Sequence, residues 1–127
     1  MHRKSVEVAV LPVVDAERTA EFYQELGFRV VARGAEEMIL ERGHLQLVLQ
    51  QTSELDPDDG TPRLEITVSI ETLERVWRRD ERDDPTLRGP TLSPEGAFEY
   101  RARDPSGNRV RIIAPIPDPE LADLDRG

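Results

Sequence analysis

The sequence predicts an α+β fold built from two βαβββ modules. Three observations carry that expectation. A chain of 127 residues can bury one sizeable core and is too short for two independent ones. Its apolar residues switch between a period of two and a period of 3.6, the marks of short strands and amphipathic helices. The second half also repeats features of the first when slid by 57 positions, which points to duplication of a small unit.

Ser5 to Val14 reads SVEVAVLPVV, β-branched and apolar on both faces, so a strand buried on both sides is expected. Asp15 offers an N-cap oxygen, and Ala16, Thr19, Ala20, Phe22, Tyr23 and Leu26 fall at helical spacing, giving a helix over Asp15 to Leu26 closed by Gly27. Phe28 to Arg33, Glu36 to Arg42 and His44 to Gln51 are strand-like runs separated by Gly34 and Gly43.

QTSELDPDDGTP, from Gln51 to Pro62, carries Asp-Pro and Asp-Gly turn signals without periodicity and reads as a linker. The 57-residue shift lays Glu65 to Ile70 over Val8 to Val13 and places Thr72 at the second helix cap. Leu73, Val76 and Trp77 give that helix its apolar face, and RRDERDD forms its solvated end. Leu87 to Thr91 and Ala97 to Arg103 are strand candidates. DPSGN, from Asp104 to Asn108, is a hairpin turn, and Arg109 to Ala114 is the last strand. The organisation is a single domain over 1–114, with module one at about 5–51, a linker at 52–62 and module two at about 63–114. A Pro-rich acidic arm occupies 115–127.

Seventeen basic residues against 26 acidic ones give a net charge of −9, which disfavours nucleic acid and anionic membranes as partners. The absence of cysteine removes disulfides, thiolate nucleophiles and cysteine-ligated metals. No long apolar run suggests a membrane span or signal peptide, so a cytoplasmic protein is expected. The charge is uneven: from Pro85 to Pro115, five arginines outnumber three carboxylates. No GxSxG elbow, phosphate-binding glycine loop, HExxH or CxxC is present.

The two modules, LPVVDAERTAEFYQELGF (Leu11 to Phe28) and YRARDPSGNRVRI (Tyr100 to Ile112) together resemble the vicinal oxygen chelate superfamily. That group includes glyoxalases, extradiol dioxygenases, fosfomycin-modifying enzymes and bleomycin resistance proteins. The resemblance implies two modules forming a curved mixed sheet around a cleft, but a fold shared by unrelated activities does not settle function. Metal-dependent members hold a divalent ion with His and Glu from the first and last strands of each module. Those positions fall here on Val8, Gln46, Glu65 and Arg111. A valine, an amide, one carboxylate and a permanent cation do not make such a site, so neither metal nor cofactor is expected.

Strand alternation predicts the lining of the cleft: His44, Gln46, Val48 and Gln50 from module one, then Glu65, Thr67 and Ser69, then Arg109, Arg111 and Ile113. The candidate ligand-binding residues are Val8, His44, Gln46, Glu65, Arg109 and Arg111. Glu65 and Arg111 either pair with one another as a structural tie or serve a ligand, Arg111 an anionic or carbonyl group and Glu65 a cationic one. The resemblance to bleomycin resistance proteins implies a metal-free protein that sequesters a small organic molecule, such as an antibiotic, and forms a homodimer. Two other functions stand beside it. One is a metal-dependent glyoxalase-like lyase, isomerase or dioxygenase with a displaced site; in an enzyme, a buried Glu65 is the candidate general base. The other is an interaction module without a small ligand.

Overall fold

Alternation of apolar side chains in the first half of the chain produces one helix and four strands. In the computed structural model, which describes residues 7–55 and 59–116, these are β1 (Glu7–Val13), α1 (Ala16–Glu25), β2 (Arg29–Arg33), β3 (Glu37–Arg42) and β4 (Leu45–Gln51). Asp15 caps α1 as expected, its side chain accepting the Arg18 amide hydrogen at 3.1 Å. Gly27 follows with φ +100°, a conformation that strains any residue with a Cβ. The strands form a sheet in the order β1-β4-β3-β2, with β1 parallel to β4.

Helix α1 packs on one face of that sheet and buries Thr19, Ala20, Phe22 and Tyr23. Leu11, Val13, Met38, Leu40, Leu47 and Leu49 supply the opposing apolar layer. The other face of β1 corrects the expectation of burial on both sides: Val8 is 57% exposed and Val10 55%. The strand lies at the sheet edge, paired among the described residues with β4, and α1 covers the alternate residues.

The second half gives β5 (Leu64–Thr67), α2 (Ile70–Asp83), β6 (Thr91–Leu92), β7 (Ala97–Arg103) and β8 (Arg109–Pro115), with a second sheet ordered β5-β8-β7-β6. The arrangement is thus two four-stranded mixed sheets with two helices, the α+β architecture of two βαβββ modules that the sequence predicts. Facing follows the expected alternation, with Ile66, Val68, Val110 and Ile112 buried and Glu65, Thr67 and Arg111 on the opposite side. The helix cap does not follow the expectation. Ser69, not Thr72, is the N-cap: its backbone is extended and its hydroxyl accepts the Thr72 amide hydrogen at 3.2 Å. It lies 54 positions after Asp15 and not 57, because β5, with four residues, is three shorter than β1, with seven, while both strand-to-helix connections have the same length. Of the strand predicted over Leu87 to Thr91, only Thr91 enters β6, which is the two residues Thr91–Leu92.

The backbone divides into two compact units, Met1–Leu64 with Ala102–Val110 and Glu65–Arg101 with Arg111–Gly127. The tip of the β7–β8 hairpin therefore belongs with the first helix rather than with its own module. Asp104 Oδ1 accepts the amide hydrogens of Ser106 at 2.9 Å and Asn108 at 3.0 Å, which closes the DPSGN turn. Its Oδ2 accepts from the Tyr23 hydroxyl at 2.7 Å and from the Asn108 side-chain amide at 3.0 Å. Asn108 also donates to the Pro12 carbonyl at 2.9 Å, Val14 N–H donates to Ser106 Oγ at 3.1 Å, and the Thr19 and Ser106 hydroxyls lie 2.7 Å apart. Every buried side-chain polar atom among the described residues has a partner. Among the described residues, no helix is long and apolar enough to cross a membrane. Ser5 and Val6 of the first predicted strand, residues 56–58 of the linker and residues 117–127 of the acidic arm lie outside the described residues.

Candidate functional site

In the first unit, the parallel register of β1 and β4 makes Val8 and Gln46 direct partners, so the first two family metal positions are neighbours. Neither supplies a metal ligand of useful strength. Around them the uncovered face of the sheet is mixed. One row reads Val8, Gln46, Glu41, Arg29, and the next has Val10, Val48 and Ile39. Arg29 and Glu41 form an exposed ion pair at 3.5 Å. His44 does not enter β4, which starts at Leu45. It sits exposed in the preceding turn, where its carbonyl accepts the Glu7 amide hydrogen at 2.9 Å. Arg109 lies in the first unit and is half-buried. With Pro12, Asp59, Arg63 and Asn108 it borders a hollow of about 30 Å³, room for about one water molecule and not for an organic ligand.

The second unit brings Glu65 and Arg111 together. Arg111 Nη1 donates to Glu65 Oε2 at 2.7 Å, and Nη2 donates to Glu99 Oε2 at 2.8 Å. Glu99 accepts a further bond from Arg101 Nε at 3.2 Å. Two carboxylates and two guanidinium groups thus form a neutral network on the side of the sheet away from α2's buried contacts. Glu99 was absent from the sequence-derived site because Phe98, Tyr100 and Ala102 left the facing of β7 open. The signal lay in the alternate set: Glu99, Arg101 and Arg103 are charged, and burying Tyr100 and Ala102 turns them all outward.

Electrostatics follow the contacts. Hydrogen bonding from Arg111, reinforced by Arg101, holds the Glu99 carboxyl below its ordinary range. Hydrogen bonds to Glu99 and Glu65 make Arg111 still harder to deprotonate. The Glu65 side chain is 58% exposed and that of Arg111 26%. The burial that a general-base role for Glu65 requires is therefore missing, and its carboxylate is engaged by a cation.

The donor set does not fit the divalent metal of metal-dependent relatives. In the second unit the ligand position at 111 is a guanidinium held between two carboxylates; in the first, a valine faces an amide. Among the described residues, no group of three or more His, Cys, Asp or Glu side chains could hold a metal ion. Tyr23 and Trp77 are packing residues rather than free stacking platforms. Tyr23 is fully buried, with edge-on contacts to Phe22 at 5.0 Å and Phe28 at 5.8 Å between ring centroids. Trp77 meets Tyr100 edge-on at 5.3 Å.

Comparison with known proteins agrees with this architecture. Residues 5–112 match the family described as Glyoxalase/Bleomycin resistance protein/Dioxygenase superfamily. A bleomycin resistance protein of Klebsiella pneumoniae is 31% identical over 111 residues, which span 81% of this chain and 86% of that protein. The crystal structure of a bleomycin-binding protein complexed with bleomycin is 29% identical, with a TM-score of 0.60 over 90% of this chain and all of the other. A bleomycin resistance determinant encoded on the transposon Tn5 is 28% identical, with a TM-score of 0.61 over 88% of this chain and 98% of the other. The repeated βαβββ order, the DPSGN hairpin and the match over 5–112 lead to one conclusion: the chain belongs to the glyoxalase/bleomycin resistance protein/dioxygenase superfamily.

Proposed function

We propose that this protein is a metal-free member of the superfamily that binds a small organic molecule in its cleft and sequesters it unchanged, as a cytoplasmic homodimer. The observation that carries the reading is the set of residues at the family metal positions. Val8 and Gln46 are neighbours with no useful ligand atom between them, and Arg111 is a guanidinium already engaged by Glu65 and Glu99. Chemistry that relies on a metal-bound oxygen has no support from such residues, whereas a binding surface does not need it. Similarity to bleomycin resistance and bleomycin-binding proteins at 28–31% identity supports the same reading and suggests bleomycin as the first ligand to try.

The proposed cleft lining remains Val8, His44, Gln46, Glu65, Arg109 and Arg111, now with Glu99. Of the two ligand polarities open to it, the cationic one fits better. Both terminal nitrogens of Arg111 donate to carboxylates, so an anion must compete with two resident partners. Glu65 keeps more than half of its side chain open to solvent, and a net charge of −9 attracts cations at long range. The exposed valines of edge strand β1 support pairing with a second copy, which would remove Val8 and Val10 from water.

Thermal denaturation across bleomycin and a panel of anionic metabolites tests this function. Because a ligand of the native state must stabilise it, bleomycin at 100 times its dissociation constant is expected to add about 2.7 kcal/mol. No shift with bleomycin or any other cationic drug, and a shift with the anions alone, contradicts the proposed polarity. Product formation from the bound molecule contradicts sequestration.

A further inference from the structure

We propose that Arg111 is the resident cation of the second unit: it bridges Glu65 and Glu99 where a metal-dependent relative would hold its ion, and its presence keeps divalent cations out. The proposal rests on the metal-free reading above and extends it from an absence of ligands to a residue that enforces the absence. Two carboxylates converge on one guanidinium, at 2.7 Å through Nη1 and 2.8 Å through Nη2. A planar fork with fixed donors suits that bridging better than a point charge does.

Charge balance explains the exclusion. Glu65 and Glu99 carry −2, and Arg111 and Arg101 carry +2, so the network is neutral as it stands. A divalent cation entering it meets two guanidinium groups and must first break two charge-assisted bonds. Removing the Arg111 guanidinium leaves the network at −1, with two carboxylates that had approached a common centre. Replacing it with an imidazole adds a neutral nitrogen, and the set becomes two carboxylates and one histidine, a donor combination that oxygen- and nitrogen-seeking divalent metals accept. Glu99 is the member that makes this work. Its side chain is 16% exposed and is further steadied by Arg101, so its position does not depend on Arg111 alone.

The test is Mn²⁺ titration of full-length protein, read from the electron paramagnetic resonance signal of the free ion, on wild type, Arg111→His and the double variant Arg111→His/Glu99→Gln. Wild type is expected to leave the Mn²⁺ signal unchanged at about 100 μM, well above the affinity of a three-ligand site. Arg111→His should take up one equivalent, and Mn²⁺ should raise its melting temperature while leaving that of wild type alone. Adding Glu99→Gln should weaken uptake by at least about tenfold, since loss of even an outer-shell partner of a metal ligand costs about that much. Should histidine prevent folding, Arg111→Glu supplies a carboxylate in its place, with the same expectations. Uptake by wild type as tight as by the variant overturns the proposal, as does a folded Arg111 variant that binds no better than wild type. The titration contains no drug, so its outcome is independent of whether the protein binds bleomycin.

Discussion

Asp104 is 4% exposed, and its carboxylate accepts four hydrogen bonds, from Tyr23, Ser106 and both the backbone and side chain of Asn108. The DPSGN turn was legible in the sequence as a turn. Its second task, tying the hairpin tip to α1, was not, because nothing local in those five residues names Tyr23, Thr19 or Pro12 as partners. Replacing Asp104 with alanine leaves several buried donors unpaired and should cost about 3 kcal/mol in urea denaturation, whereas Tyr23→Phe should cost about 1 kcal/mol. A loss near zero for Asp104→Ala would show that the network is not a structural tie. Burial, and then the adjacent Asp104 carboxylate, raise the Tyr23 hydroxyl well above its ordinary pKa. Because the folded value lies above the unfolded one, this contribution is complete below about pH 10 and fades as pH rises past it. Tyr23→Phe should therefore lose less stability than wild type between about pH 10 and pH 12, measured by denaturation at each pH.

Helix starts show how far local pattern reaches. Asp15 was identifiable because a polar cap stands directly before an apolar period of 3.6, and the structure places the cap there. For α2, the 57-residue shift points to Thr72, yet Ser69 with an extended backbone caps the helix three residues earlier. The alternation of β5 survives that error because facing depends on parity within the strand, not on where the helix begins. Ser69→Ala is expected to cost about 1 kcal/mol, and Thr72→Ala less than about 0.5 kcal/mol, by chemical denaturation. The reverse order would restore Thr72 as the cap. The exposed face of β1 marks the other limit: an apolar strand reads as buried on both sides from sequence, whereas its place at a sheet edge is set by pairing with β4 far along the chain.

At the scale of the whole molecule, the strand and helix order was legible before any coordinates, and the unequal division of the backbone was not. The hairpin from Ala102 to Val110 groups with the first half through contacts that no periodicity encodes. Assembly is the next property at this scale. Sedimentation at micromolar concentration is expected to give twice the mass of the 14.4 kDa chain, and a monomer would remove second-copy burial as the reason for exposed Val8 and Val10. Binding without a protein-held metal is the central claim, and calorimetry of bleomycin against protein stripped with a chelator tests it most directly. The account predicts saturable binding of metal-free bleomycin with the drug recovered unchanged by mass spectrometry. Binding that appears only when one equivalent of divalent metal is restored to the protein, or drug recovered chemically altered, would contradict it.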